Sequence, residues 1–478
     1  MTTLLGQLAE QGVRPASISA DSRRVAKGGL FLAYPGERVD GRKYIAQAVA
    51  QGAAAVLWER DGYQWDAAWQ IPNLPVKGLR EQAGMIADEF YGHPSLKLWI
   101  AGVTGTNGKT SCSHWLAQAM TRLGRKTACI GTIGNGFPGA LAETINTTPD
   151  PITLHGMLAD YLAQGAAGVA MEVSSHGLVQ GRVSGMHFDV AVFTNLSREH
   201  LDYHGDMQAY GDAKRRLFSW PELHAAVVNV DDAYGRQLAA ELSGDGVRTM
   251  TYGLQAGEVR GCNLRLSAAG LAMDVETPEG NARLESRVLG RFNAYNLLAV
   301  LATLLVSGVA LQDAVRVLGE TEPVAGRMQR LGGGQAPLVV IDYAHTPDAL
   351  EKVLVALREQ TAGQLLCVFG CGGNRDKGKR PLMGEISSRL ADGVIVTSDN
   401  PRNEDPAAII ADIVAGMGGN YHVEADRAAA IDMAVSRAHA GDVVLIAGKG
   451  HEDYQDVAGV RLPFSDVEVA RRALGAAA

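Results

Sequence analysis

The chain has 478 residues, more than one hydrophobic core usually organises, and at about 150 residues per domain it predicts three domains. Hydrophobic residues make up 46% and charged residues 20%, which excludes intrinsic disorder and coiled-coil composition. Lys and Arg total 44 against 52 Asp and Glu, so a net charge of -8 excludes a global basic field for nucleic acid or an anionic membrane; any phosphate must be met locally.

The opening segment MTTLLGQLAEQG has neither a basic nor an apolar targeting region, and the five cysteines are too scattered for a disulfide framework. A reducing, cytoplasmic location is the expectation. His93-Pro94-Ser95 ends a first region, and Ala325-Gly326-Arg327 with Gly332-Gly333-Gly334 separates a second from a third. The expected domains are 1–94, 95–325 and 326–478. From residue 96, short apolar, β-branched runs alternate with helix-length segments: Leu96–Val103, Thr127–Gly131, Gly168–Val173, Val190–Thr194 and Ala225–Val230, then Leu338–Ile341, Leu365–Gly370, Val394–Thr397 and Val443–Ala447. That alternation predicts two parallel α/β sheets covered by helices. The uncharged stretch from Phe292 to Gln312 is broken by Asn293, Asn296, Thr303, Ser307 and Gly308, which predicts a buried helix rather than a membrane span. Cys367 and Cys371 lack a second pair at zinc spacing and read as small buried side chains.

Ligands of open parallel sheets bind beyond the carboxyl ends of the strands, which directs attention to the residues after each run. Gly105-Thr106-Asn107-Gly108-Lys109-Thr110 follows a strand and opens a helix toward Gly124. Backbone N–H groups of such a loop face an anion, Lys109 reaches outer phosphates, and Thr110 can join a Mg²⁺ shell. Val103 stands where a full phosphate-loop pattern has glycine, which disfavours an ordinary kinase of that class. Glu172, His176, His200, Asp202 and Lys214 follow, types that suit a metal-assisted phosphate site, although each taken singly reads as a surface or hydrogen-bonding residue rather than a ligand. In the third region GCGGNR places Arg375 where a dinucleotide fingerprint needs glycine. Arg375, Arg402 and Glu452 at strand ends suit a zwitterion, guanidinium on carboxylate and acid on ammonium; ordinary surface pairs are an equal reading of the residues alone.

GTNGKT, MEVSSHGL, TNLSREHLDYHGD, GDAKRRLF, GRFNAYN, DYAHTP and DNPR together resemble the Mur ligases of peptidoglycan synthesis, and DNPR resembles the members that add meso-diaminopimelate rather than L-lysine. The resemblance covers essentially the whole chain. It implies an N-terminal domain that binds the UDP end of the substrate, a central ATPase domain with a parallel sheet of phosphate-loop type, and a Rossmann-like C-terminal domain that binds the amino acid. Ala20, Ser22 and the stretch Glu37-Arg38-Val39 fall where the family contacts the nucleotide. Gly105, Thr106, Asn107, Gly108, Lys109, Thr110 and Ser111 match residues that wrap the ATP phosphates, and Asn296, Arg327 and Asp342 match those that receive the adenosine. Asn146, Thr147, Thr148, Ser174, Gln180 and Arg182 match the muramoyl-dipeptide site. Thr110 and Glu172 correspond to ligands of a first magnesium ion, and His200 and Lys214 to a second, Lys214 being the lysine that the family carbamylates with carbon dioxide. Arg375, Asp399, Asn400, Pro401, Arg402, Gly448 and Glu452 match the diaminopimelate site.

The implied reaction joins meso-diaminopimelate to UDP-N-acetylmuramoyl-L-alanyl-D-glutamate through an acyl phosphate made from ATP, with Lys109, Glu172, His200 and Lys214 in the catalytic centre. That step belongs to cell-wall biogenesis, and hence to cell shape and division. The implied partners are small molecules, without nucleic acid or a membrane span, and a monomer whose domains close on its ligands is expected. A related amide ligase for L-lysine or a folate-type glutamate chain and a non-catalytic nucleotide-binding scaffold are the competing readings, the second opposed by intact Lys109, Glu172, His200 and Lys214.

Overall fold

The computed structural model describes residues 2–37, 39–144, 146–244 and 246–475. The chain gathers into two compact units, Met1–Thr251 and Tyr252–Ala478. The first unit opens with a four-stranded parallel sheet in the order Ile18–Ser19, Leu30–Ala33, Ala55–Glu59, Asn73–Val76. Its two-residue periodicity sorts side chains onto opposite faces: Leu30, Leu32 and Leu57 join one core, and Phe31, Ala33, Val56 and Trp58 another. The helix Leu79–Phe90 packs closely against the turn that carries Ser184. A Cβ on Gly84 would lie 2.1 Å from the Ser184 carbonyl oxygen, so only glycine permits the approach.

The larger sheet of the first unit places Ala225–Asn229, Val190–Phe193, Trp99–Thr104, Gly168–Glu172 and Thr127–Gly131 side by side in parallel. Four of these five strands are buried at every position, and Trp99–Thr104 at all but its first, as expected when helices cover both faces. Two short antiparallel strands, Gly134–Phe137 and Ala140–Ala142, extend one edge. The run expected from Leu96 starts later, because Pro94–Lys97 forms a 3₁₀ turn that leaves Leu96 exposed.

In the second unit Val259–Ser267, Gly270–Thr277 and Gly280–Ser286 make an antiparallel meander with tight turns entering Gly270 and Gly280. The helix Arg291–Val306 is buried on nearly all sides, which accounts for its uncharged sequence. Among the described residues no helix is long and apolar enough to cross a membrane. A second α/β sheet follows in the order Gln329–Gly332, Leu338–Asp342, Val443–Ala447, Leu365–Phe369, Gly393–Val396, Tyr421–Val423; its first strand is antiparallel and the rest parallel. Beyond the two expected sheets the structure therefore has the small N-terminal sheet, the meander and a hairpin, Tyr454–Val457 with Val460–Pro463. Cys367 and Cys371 are buried free thiols, as expected, and burial pushes both up to about 12.

Candidate functional site

Gly105 and Gly108 adopt left-handed backbone at φ 146° and 88°, and Gly108 leads into the helix Lys109–Arg122. A Cβ on Gly105 would sit 1.9 Å from the Thr194 hydroxyl, so the turn requires glycine. The helix ends as its sequence predicts: Gly124 has φ 82° and the Arg125 N–H donates to the Met120 carbonyl at 2.9 Å. The loop is braced from the neighbouring strand end. Thr106 N–H donates to Asn195 O (2.8 Å), Asn107 N–H to Asn195 Oδ1 (3.0 Å), and Thr194 Oγ1 to Asn107 O (2.6 Å). Thr110 and Ser111 lie buried in the first helical turn.

Two lysine side chains converge on this loop. Lys109 Nζ donates to Gly105 O at 2.8 Å and Thr106 O at 2.7 Å, and Lys214 Nζ donates to the same Gly105 oxygen at 2.9 Å. Lys214 is 1% exposed, with its Nζ 4.2 Å from the centre of the Tyr210 ring. Burial and then the Lys109 charge push Lys214 well below the usual lysine range, Glu199 pulling weakly the other way. The amine is thereby biased toward its neutral form. His200, at φ 56°, stacks edge-on to His176 at 4.8 Å and lies 6.0 Å from the Tyr210 ring. Burial, with Lys109 and Lys214, lowers His200, while Glu199 opposes the shift.

Glu172 ends the strand paired with Trp99–Thr104, directly opposite Val103. Its buried carboxylate accepts from Thr132 N–H at 2.7 Å and Thr132 Oγ1 at 3.2 Å. A side chain at Gly131 would collide with it, a Cβ lying 2.2 Å from Oε1. Thr132 Oγ1 also meets Thr147 Oγ1 at 3.0 Å, and Thr148 Oγ1 donates to Glu172 O at 2.9 Å. Ser174 caps the short helix Ser175–Val179, and Arg182 donates to Gln180 Oε1 (2.7 Å) and Thr148 O (2.8 Å). Thr147, Thr148, Ser174, Gln180 and Arg182 thus form one connected group, whereas Asn146 is exposed on the preceding loop. Gln180 also lines a cleft of about 330 Å³ with Glu37, Arg80 and Tyr203. Ser22 is buried and donates to Gln47 Oε1 at 2.9 Å, Ala20 packs beside the core of the N-terminal sheet, and Arg38 lies outside the described residues.

The second unit gathers the remaining candidates beyond its own strand ends. Asp342 is buried and accepts from Met328 and Ala344 N–H, both at 2.8 Å; burial raises its carboxyl, against the pull of Arg327. Arg327 lies over the Tyr343 ring at 4.9 Å, and Asn296 bonds Asn293 on its helix at 2.9 Å. Arg402 has φ 52°, donates to Gly373 O at 2.9 Å and approaches Asp456 at 3.9 Å. A Cβ on Gly372 would lie 2.8 Å from Arg402 Nη1 and 3.9 Å from Arg375 Cγ, so both arginines flank one bare stretch of backbone. Gly373 is equally constrained, a Cβ falling 1.9 Å from Pro401 O, and one on Gly448 would fall 2.5 Å from Asp399 Oδ2.

Glu452 Oε2 accepts from Asn400 Nδ2 at 2.8 Å and from Lys449 Nζ at 3.1 Å, and Lys449 also donates to Asn400 Oδ1 at 3.0 Å. The acid expected to meet an ammonium is therefore already paired with a lysine of its own chain. This contact depends on a three-residue spacing at a strand end and carries no sequence signature.

Residues 16–91 match the catalytic domain of the Mur ligase family, 103–304 the Mur ligase middle domain, and 326–450 the Mur ligase glutamate ligase domain. The chain is 58% identical to a Chromobacterium violaceum protein named UDP-N-acetylmuramoyl-L-alanyl-D-glutamate--2,6-diaminopimelate ligase, over 98% of this chain and 96% of that one. The chain belongs to the Mur ligase family. A relative of the same name from Nitrosomonas europaea is 51% identical over 98% of this chain and 94% of its own length. A solved structure of a ligase of that name superposes with a TM-score of 0.74 at 39% identity, covering 96% of this chain and 95% of that chain.

Arg380 and Glu404 are structural residues of this Mur ligase that the motifs did not single out. Arg380 is buried, pairs with Glu404 at 3.0 Å and Asp412 at 2.8 Å, and Glu404 in turn accepts from the Asn374 N–H beside Arg375. The pair ties the Arg375 loop to the segment that follows Arg402.

Proposed function

We propose that the protein is an ATP-dependent amide ligase that adds meso-diaminopimelate to UDP-N-acetylmuramoyl-L-alanyl-D-glutamate. The supporting observation is near-full-length likeness to relatives bearing that activity in their names, joined to a glycine-required loop on which Lys109 and Lys214 converge. Amide formation from a carboxylate needs a better leaving group than hydroxide. ATP supplies it: the side-chain carboxylate of the D-glutamate attacks the γ-phosphate, ADP leaves, and an acyl phosphate forms. The free amine of diaminopimelate then attacks the acyl carbon, and the tetrahedral intermediate expels phosphate and loses a proton.

Lys109 and the backbone N–H groups from Gly108 to Ser111 hold the phosphate oxygens as charge shifts among them, those of Thr106 and Asn107 being taken by Asn195. Asn296, Arg327 and Asp342 receive the adenosine, and the group around Thr148, Ser174, Gln180 and Arg182 orients the dipeptide, with Ala20 and Ser22 toward its nucleotide. The buried oxygens of Thr110 and Glu172 fit a hard cation, and His200 beside Lys214 fits a second once that lysine carries oxygen. Magnesium bound there neutralises phosphate charge during transfer. Neutral Lys214 can add to carbon dioxide, forming an N–C bond and losing a proton, which converts an amine into an anionic oxygen donor.

Arg375 and Arg402 grip the distal carboxylate of diaminopimelate, while Asp399, Asn400, Pro401, Gly448 and Glu452 shape its site. Lysine lacks that carboxylate and leaves the guanidinium groups unpaired, a difference that can reach ~10⁴ in turnover. The domain division at residues 94 and 325, action as a monomer and a cytoplasmic location belong to the same reading. The test is incubation with ATP, Mg²⁺, the UDP-muramoyl dipeptide and either diamine, followed by mass spectrometry of the nucleotide product. A product heavier by diaminopimelate less one water is expected; an equal yield with L-lysine sinks the assignment.

A further inference from the structure

The amino ends of two neighbouring strands in the first unit, opposite the ends that carry the phosphate loop, hold a second cluster of chemical groups. His187 and Asp189 precede Val190–Phe193, His224 precedes Ala225–Asn229, and Val190 pairs with Ala225 in parallel register. Backbone bonds fix the arrangement: Asp189 N–H donates to Ile100 O at 2.9 Å, and Ala225 N–H donates to Asp189 O at 3.0 Å. Asp189 Oδ2 accepts from Ile100 N–H at 2.7 Å, which aims Oδ1 at the two imidazoles. Oδ1 lies 3.2 Å from His224 Nδ1 and 3.7 Å from His187 Nε2, and one donor atom from each of the three residues falls within 4.8 Å of the others.

A hydrogen bond accounts for His224 but not for His187, whose nearer nitrogen stands beyond bonding reach of the same oxygen. Bonds of 2.0–2.1 Å to a tetrahedral ion place neighbouring ligand atoms about 3.4 Å apart, between the two separations observed. The other nitrogen of His187 stands 3.9 Å from the exposed Glu222 carboxylate, likewise beyond hydrogen-bond reach. Two nitrogens and one oxygen favour a zinc-class ion over magnesium.

We propose that His187, Asp189 and His224 form a binding site for a zinc-class divalent cation, completed by water. The ion staples the entries of two parallel strands, and the site is separate from the phosphate-loop centre. The test uses the full-length protein stripped with a chelator, then Zn²⁺ in equilibrium dialysis and Co²⁺ followed by visible absorption. His224 is 69% exposed, so His224→Ala leaves the core intact. The proposal expects His224→Ala to bind Zn²⁺ at least tenfold more weakly and His200→Ala to keep the ion. Equal Zn²⁺ affinity in His224→Ala and the unaltered protein, or loss confined to His200→Ala, overturns it.

Discussion

Lys214 in the first unit and Lys449 in the second are equally hidden, at 1% and 0% exposure, yet they are held by opposite means. Lys449 lies against a carboxylate and an amide oxygen, Glu452 and Asn400, so its charge is matched where it is buried. Lys214 has a carbonyl, an aromatic face and another lysine around it, so burial favours loss of its proton. Burial alone therefore does not decide what a lysine does. The partner decides: one lysine becomes a fixed strut, the other an amine biased toward its neutral form.

The sharpest break of this contrast is Lys214→Met, expected to lower phosphate release in the complete assay by about 10³, the scale of losing a group that organises transferring charge. With ¹³C-labelled bicarbonate, one carbamate signal is expected in the unaltered protein and in Lys449→Met, and none in Lys214→Met; a signal that survives in Lys214→Met removes the reactive-amine reading. Arg427 extends the comparison, because it is buried with Asp466 at 0% exposure each and donates to it at 2.7 and 2.8 Å. Arg427→Met leaves that acid unpaired and should cost about 3–5 kcal/mol in urea unfolding. Lys449→Met should raise KM for diaminopimelate roughly 10- to 100-fold with a smaller change in kcat, since Asn400 and Glu452 lose their shared brace.

The smallest effect concerns a buried base. Burial lowers His155 from 6.5, outweighing its bond to Ser184 O at 3.0 Å and the nearby Asp88. The unfolded chain then takes up this proton more readily than the folded one, so the contribution is full above pH 6.5 and is lost as pH falls below it. Lowering the pH from about 7.5 to about 5.5 should reduce Tm, by up to about 1.4 kcal/mol of stability per pH unit for this ring. His155→Gln should flatten that slope; an unchanged slope places the acid sensitivity elsewhere.

Thr127–Gly131 and Val443–Ala447 were legible residue for residue, because strands buried on both faces read as unbroken apolar runs. Val259–Ser267 was not, since one of its faces is wet and its alternating pattern is weak against surrounding polar sequence. Leu96 misled for a related reason: an apolar residue next to a strand can sit exposed in a turn. Within the candidate site, GTNGKT announced its loop through glycine and lysine spacing. Arg380 and Glu404 gave no comparable signal, because their work is to hold one another.

Local order, the family and the glycine-rich loop at Gly105 to Thr110 were thus written in the chain, for they depend on residue type at short spacing. Only the folded molecule assigned partners: Gly105 O beneath Lys214, Glu452 beside Lys449, and Asp189 between two histidines 37 residues apart. The reason is physical. A side chain's charge state and reactivity follow from the groups within a few ångströms of it, and chain folding brings those groups from distant positions.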